Sequence, residues 1–101
     1  MDTEMICPCH KSKHRDAEDV RALTNRLSRI EGQVRGIRGM VEGDAYCVDI
    51  LTQVTAVTAA LNAFSRELLA EHIRTCVAHD LQQGNGEVVE ELVETVRKMM
   101  K

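Results

Sequence analysis

The stretch from Asp44 to Gln83 contains neither glycine nor proline, and it makes up a large part of a chain of 101 residues. Apolar residues recur in it in steps of three and four, which places them on one face of an α-helix; they are Cys47, Ile50, Val54, Val57, Leu61, Phe64 and Leu68. We expect a single helix of about 38 residues and roughly 57 Å. The rest of so short a chain cannot cover that face, so the pattern predicts an obligate oligomer, a dimer at least.

Shorter helices are predicted on both sides of this one. Apolar steps of three and four also run from Val20 to Val41. Gly43 is expected to end that first helix, and Asp44 to cap the second. After the turn signal "QGNG", further apolar residues mark a third helix. The expected fold class is all-α, with a flexible tail over 1–15 and a single helical domain over 16–101, whose helices span about 16–42, 45–83 and 87–100.

The motif "EHIRTC" (71–76) places His72 and Cys76 four residues apart, on the same side of a helix. Two ligands rarely suffice for a metal, and the third candidate is Cys47, which lies 25 residues before His72. On one straight helix that separation is roughly 37 Å, too far for a shared ion. If two copies of the helix pair antiparallel, however, Cys47 of one copy meets His72 and Cys76 of the other. Small residues surround the required crossing point near Leu61; they are Ala56, Ala59, Ala60 and Ala63.

Two thiolates and one imidazole form a soft ligand set. Such a set suits Cu(I) in a trigonal site, or Zn(II) if a fourth ligand is added. The simpler alternative is that Cys47 is an inert part of the apolar face and that the His72–Cys76 spacing arose by chance. The tail "CPCHKSKH" (7–14) offers further soft ligands. Cys7, Cys9 and His10 could form an auxiliary metal grip or a docking point for a copper chaperone, or be chance residues of a tail, and we assign no site there.

The charge of the chain is unevenly distributed. The whole chain carries a net charge of −3, whereas residues 10–38 contain eight lysines and arginines against four acids. A basic face on an acidic body is typical of a surface that binds phosphates, and Arg29, Arg35 and Arg38 are candidates for DNA contacts. The alternative is a solvated helix face with pairs such as Arg35 and Glu31.

Other function classes are disfavoured by the composition. We find no unbroken apolar run near 18 residues and no signal-peptide core, so a soluble, cytoplasmic protein is expected. In that compartment the four cysteines are expected to serve metal binding or redox sensing, not disulfides. The sequence shows no acid/base constellation and no phosphate-binding loop, so we do not expect an enzyme.

The segment "NRLSRIEGQVRGIRGMVEGDAYCVDILTQVTAV" (25–57), followed by "EHIRTCV" (71–77), strongly resembles the copper-sensing operon repressor (CsoR) family. The resemblance implies an antiparallel helical-bundle dimer that assembles into a homotetramer, a dimer of dimers. It implies a surface that binds operator DNA without a helix-turn-helix. It also implies that Cys47, His72 and Cys76 are Cu(I) ligands shared between subunits, and that Cu(I) binding releases DNA and derepresses copper efflux or homeostasis genes.

The resemblance extends to residues around the ligands. Tyr46 matches a position beside the metal in copper sensors, and a glutamate of the third helix has a similar part there. In "EVVEEL" (87–92) either Glu90 or Glu91 could hold that position, and we assign Glu91. Arg26 matches a position that contacts DNA in relatives.

Other branches of the family fit less well. Nickel and cobalt sensors have a histidine near the start of the first helix, where this chain has Arg15, with His14 one place away. Persulfide sensors have a cysteine where this chain has His72, and formaldehyde sensors do not need Cys76. A nickel-responsive repressor, a thiol redox or persulfide switch, and a cytoplasmic copper-buffering protein without a DNA role stay open as alternatives.

Overall fold

The computed structural model describes residues 15–100, and over that range the chain is helical and contains no strand. Helix α1 spans Ala17–Glu42. Helix α2 is α-helical over Cys47–His72, passes through a π-helical turn at Ile73–Val77, and continues as an α-helix over Ala78–Gln82. Helix α3 spans Glu87–Met99. The predicted all-α class is confirmed for the described residues, and the helix ends differ from the predicted ones by no more than two residues.

Helix α1 begins at a side-chain cap. The Asp19 N–H donates to Oδ1 of Asp16 at 2.9 Å, which satisfies one of the N–H groups that the first helical turn leaves without a partner. Glu18 and Asp19 in that turn add negative charge at the positive end of the helix dipole. The boundary between tail and helix therefore has a local physical cause.

The junction between α1 and α2 differs from the prediction. Gly43 has a φ of −93°, and the left-handed residue is Asp44, with a φ of 58°. The Asp44 N–H donates to Val41 O at 3.2 Å and the Ala45 N–H to Met40 O at 2.9 Å, the bond pair of a Schellman motif. Asp44 thus ends α1 and does not cap α2, because aspartate is one of the few residues that tolerate the left-handed conformation.

Helix α2 begins two residues later than predicted. The Tyr46 carbonyl accepts the N–H of Ile50 at 3.2 Å, the first bond of the helix. Tyr46 is therefore the cap residue, and Cys47 is the first residue of α2.

The chain divides into two compact units. One is residues 16–67, and the other consists of Arg15 and the described residues from Leu68 onward. In the first unit only Ile30 and Val57 are buried, each 8% exposed, while Leu51 is 62% exposed. The second unit has its own small core of Cys76, Val77 and Val88. Most of the apolar face that the sequence places along α1 and α2 is thus uncovered within one chain.

Helix α2 is also apolar enough, by length and composition alone, to cross a membrane. Over Cys47–Gln82 an 18-residue window reaches a mean hydropathy of 1.4, although threonines and other polar residues interrupt its apolar runs. The polarity of two threonines is partly hidden, because the Thr52 hydroxyl donates to Val48 O at 2.9 Å and the Thr55 hydroxyl to Leu51 O at 3.0 Å. The sequence-based expectation of no apolar run near 18 residues does not cover this window, in which polar residues separate the apolar ones. One such helix is a weak indication, since core helices of soluble proteins pass the same test.

Candidate metal centre

His72 and Cys76 lie beside and within the π-helical turn that interrupts the α-helical bonding of α2. His72 is the last residue before the π-helical turn, and Cys76 lies within it. The Ala78 N–H donates to Ile73 O, five residues back, as a π turn requires. An α-helix has about 3.6 residues per turn, and a π turn has more. A residue and the fourth residue after it therefore lie closer to the same side of the helix when a π turn separates them. His72 and Cys76 are therefore separated by a π turn and not by a regular α-helical one, and their pairing as ligands stays a prediction.

Thr75, a residue of this turn, contacts Glu71 before the turn and Cys76 within it. Its hydroxyl donates to Glu71 O at 2.7 Å, and its Oγ1 lies 3.7 Å from Cys76 Sγ. A threonine that donates to the carbonyl four residues back bends a helix slightly. Here it does so at the point where the α-helical bonding pattern changes.

Cys76 is buried within its unit. Its residue surface is 4% exposed, and its neighbour Val77 and Val88 of α3 are also buried. Helix α3 is in contact with the π turn. Cys76 is therefore a buried residue of a turn that packs on α3, so a shift of this turn would be felt by that helix.

A buried acid fixes the turn between α2 and α3. Asp80 is almost fully buried, and Asn85 donates from Nδ2 to its Oδ2 at 3.4 Å. The Asn85 N–H also donates to Asp80 O at 2.8 Å. The first bond gives a partner to a carboxylate whose burial would otherwise be costly, and the second, to the Asp80 backbone carbonyl, sets where α3 starts relative to the π turn. Neither Asp80 nor Thr75 was singled out from the sequence.

Cys47 has a different environment from Cys76. It is an exposed free cysteine at the first position of α2, directly after the exposed Tyr46, and it belongs to the unit of residues 16–67. Among residues 15–100 no three histidine, cysteine or acidic side chains come together to hold a metal ion. One copy of the described chain therefore does not bring the three predicted ligands into one site.

An ion pair lies next to the predicted histidine ligand. Nε of Arg15 is 3.5 Å from Oε2 of Glu71, the residue before His72. Arg15, the last residue of the predicted tail, thus contacts α2. Residues 1–14 lie outside the described part of the chain, and with them Cys7, Cys9, His10 and His14.

The four arginines predicted to contact DNA are all exposed on α1. At about 100° per residue, Arg26 and Arg29 flank one side of the apolar face of α1, and Arg35 and Arg38 flank the other. Arg35 and Arg38 border an open groove of about 490 Å³, whose apolar wall is formed by Leu27, Ile30 and Val34. On a single α1 the arginines therefore form two pairs and not one continuous face.

The residues predicted to lie beside the ligands are also exposed. Tyr46 is 70% exposed, and Glu90 and Glu91 are exposed on the first two turns of α3. Within the described residues none of them is part of a metal-binding cluster.

Residues 19–98 match the profile of the family described as metal-sensitive transcriptional repressors. The chain belongs to this family. Its members repress transcription, which they do by binding operator DNA. The resemblance drawn from "NRLSRIEGQVRG" and "EHIRTCV" is confirmed.

Relatives within the family include copper sensors. The chain is 47% identical over 94 residues to the copper-sensing transcriptional repressor CsoR of Bacillus subtilis, covering 91% of this chain and 93% of that one. Its fold is similar to the crystal structure of CsoR with Cu(I) from Geobacillus thermodenitrificans, with a TM-score of 0.85 and 41% identity over 89% of this chain and 95% of the other. The nickel-responsive regulator InrS gives a TM-score of 0.67 and 36% identity over 88% and 98%. Copper and nickel sensors thus share this fold, so the fold alone does not identify the metal.

Proposed function

We propose that this metal-sensitive repressor responds to Cu(I): it binds operator DNA when metal-free and releases it on Cu(I) binding, so that copper efflux or homeostasis genes are transcribed. The observation that carries the proposal is the 47% identity to a copper-sensing repressor over 91% of the chain. The ligand types agree with it, because Cys47, His72 and Cys76 form a soft set suited to Cu(I).

The site is shared between two copies. The exposed apolar residues of α1 and α2 need a partner to cover them, and an antiparallel pair of α2 helices would supply one. That pairing sets Cys47 of one copy beside His72 and Cys76 of the other, and two-fold symmetry gives two sites per dimer. The dimers associate into a homotetramer.

Cu(I) would supply coordination bonds that connect the start of α2 in one subunit with the π turn in the other. The protein's own part is mechanical: Cys76 is buried in the π turn, and that turn contacts α3, so a shift of Cys76 displaces α3. Tyr46 and Glu91 lie beside the ligands in the assembled site and orient them, as partners of metal ligands commonly do.

DNA is bound by Arg26, Arg29, Arg35 and Arg38 through the phosphate backbone. Two arginine pairs on one α1 give few contacts, but a tetramer repeats them four times, and affinity rises steeply with the number of phosphates neutralised. The protein acts in the cytoplasm, where the operator is, and has no catalytic activity.

The decisive experiment is an anaerobic Cu(I) titration of the protein bound to DNA from the region upstream of its own gene. We expect wild type to release the DNA as the sites fill, and Cys47→Ala to stay bound. Equal release by both proteins would show that the proposed sensor site is wrong. A parallel Ni(II) titration tests the alternative suggested by the similarity to InrS: release by Ni(II) and not by Cu(I) would make the chain a nickel sensor.

The shared geometry has its own test. Mixing Cys47→Ala with Cys76→Ala subunits should restore one Cu(I) site per mixed dimer, because one of its two ligand sets is then complete. A site built within a single chain would stay defective in the mixture. Retention of DNA binding by wild type without metal separates a repressor from a copper buffer. A response to oxidant without metal that His72→Ala retains would favour a thiol switch.

A further inference from the structure

The π turn between the two ligands of α2 needs a residue that holds it in place. In an α-helix each carbonyl accepts from the N–H four residues later, and this pattern changes at Ile73–Val77. Isolated π turns of this kind occur mostly as single-turn irregularities in α-helices and frequently at functional sites. What fixes the turn at this position in α2 is therefore part of the site.

Thr75 is the residue in the right place. Its hydroxyl has one proton, which the 2.7 Å contact directs to the carbonyl of Glu71, just before the turn. The same oxygen lies 3.7 Å from Sγ of the next residue, Cys76. The Thr75 hydroxyl thus contacts both the α-helical segment that carries His72 and the sulfur of Cys76, which lies within the π turn.

We propose that Thr75 is a positioning residue for the metal site: its hydroxyl bond to Glu71 O holds the π turn and thereby sets the direction in which Cys76 presents its sulfur alongside His72. This role rests on the proposed Cu(I) function of the same site. Thr75 itself does not bind the metal. Thr52 and Thr55 of α2 make the same bond to the fourth residue back, but they do so within regular α-helix.

The test compares Thr75→Val with Thr55→Val. Valine keeps the branched shape of threonine and has a similar helix propensity, so only the hydroxyl is lost. Thr55 makes the equivalent 3.0 Å bond to Leu51 O and serves as the matched control. We expect Thr75→Val to bind Cu(I) about tenfold more weakly or worse, measured by anaerobic competition with a Cu(I) chelator, as for other residues that orient metal ligands. Thr55→Val should bind like wild type.

Two further readouts separate positioning from general stability. Amide hydrogen exchange over residues 73–78 should accelerate in Thr75→Val and not in Thr55→Val, while the two variants have the same Tm within a degree or two. Thr75→Ser, which keeps the hydroxyl, should restore the affinity. If Thr75→Val does not fold, Thr75→Ala against Thr75→Ser gives the same contrast.

The outcomes are distinguishable from those of the proposed function. Wild-type protein that binds no Cu(I) through Cys47, His72 and Cys76 would overturn both. Wild-type binding with an unchanged affinity in Thr75→Val would overturn the role of Thr75 alone. Weaker binding in Thr75→Val that Thr75→Ser does not rescue would show that the hydroxyl alone does not set the affinity, and would also overturn it.

Discussion

The two compact units of the chain bury their side chains differently. Residues 16–67 contain regular α-helix and have only Ile30 and Val57 buried. The described residues from Leu68 onward contain a π turn and bury a cysteine and an aspartate together with Val77 and Val88. Most apolar side chains of the first unit are at least partly exposed, whereas the second unit buries the thiol of Cys76 and the carboxylate of Asp80.

This difference suits the two units to different roles. The first unit has surfaces for partner molecules, and the second contains two of the three proposed metal ligands. Exposed valines and leucines on α1 and α2 are suited to association with another copy, and the exposed arginines of α1 to phosphates. The unit with the π turn instead contains the half-buried His72 and the buried Cys76, and its π turn contacts α3. Substitutions of the apolar residues and arginines of the first unit should therefore change assembly and DNA binding, and those around the π turn of the second unit should change metal sensing. Cys47, a proposed ligand in the first unit, is the exception.

The largest effect is expected from Leu61→Glu, at the proposed crossing of two α2 helices. The change removes the apolar side chain of Leu61 twice per dimer, each worth about 1.5–3 kcal/mol, and brings two like charges together. We expect the oligomer to dissociate at micromolar concentration in sedimentation equilibrium. Asn62→Glu introduces the same charge one residue away at an exposed polar position and should stay oligomeric. An unchanged oligomer in Leu61→Glu would place the interface elsewhere.

The next effect concerns DNA affinity. Replacing Arg35 and Arg38 together by alanine should weaken operator binding at least about tenfold and flatten its salt dependence, by about one unit of slope for each phosphate that is no longer neutralised. Cu(I) affinity should not change, because neither arginine is a proposed metal ligand. The pair Arg26 and Arg29, on the opposite flank of α1, provides a second double variant. Weaker binding in one double variant only would identify which flank faces the DNA.

The two cysteine ligands should differ in what they contribute to folding. Cys76→Ala removes a buried sulfur and should lower the free energy of unfolding of the metal-free protein by about 1 kcal/mol or more. Cys47→Ala removes an exposed one and should change it by less than about 0.5 kcal/mol. Both should abolish the Cu(I) site. Urea unfolding without metal measures the difference, and equal stabilities would contradict the contrast between the units.

Most of the fold could be predicted from the sequence, because long runs of apolar residues in steps of three and four specify helices directly. Cys47, His72 and Cys76 stand out as ligands by residue type and by membership of the family, and their shared site stays a prediction. The π turn was missed, although a signal for it exists. Leu68, His72, Cys76 and Asp80 follow one another in three successive steps of four. On a regular helix such steps drift around the axis by about 40° each, and an extra residue in one turn reduces the drift.

The junction between α1 and α2 shows why local detail is harder to predict. Glycine is the usual left-handed residue at a helix end, so the sequence predicts Gly43 at that position and Asp44 as the cap of α2. Both residue types fit more than one position in such a turn, and which one takes the left-handed conformation depends on the whole hydrogen-bond pattern. Here the bonds to Val41 O and Met40 O place it at Asp44.

The smallest effect is therefore expected at this junction. Asp44→Gly relieves a left-handed φ of 58° and removes a negative charge from the negative end of α1. Because glycine also makes the unfolded chain more flexible, we expect a net gain of only about 0.5–1 kcal/mol in the free energy of unfolding. Gly43→Ala is the matched change: its φ of −93° suits alanine, but the new Cβ would lie 3.2 Å from Gly39 O and should destabilise the protein slightly. Urea unfolding of both variants measures the two signs. A loss of stability in Asp44→Gly would mean that the aspartate side chain has a role at the junction, two residues before the cysteine that is to meet the partner's metal ligands.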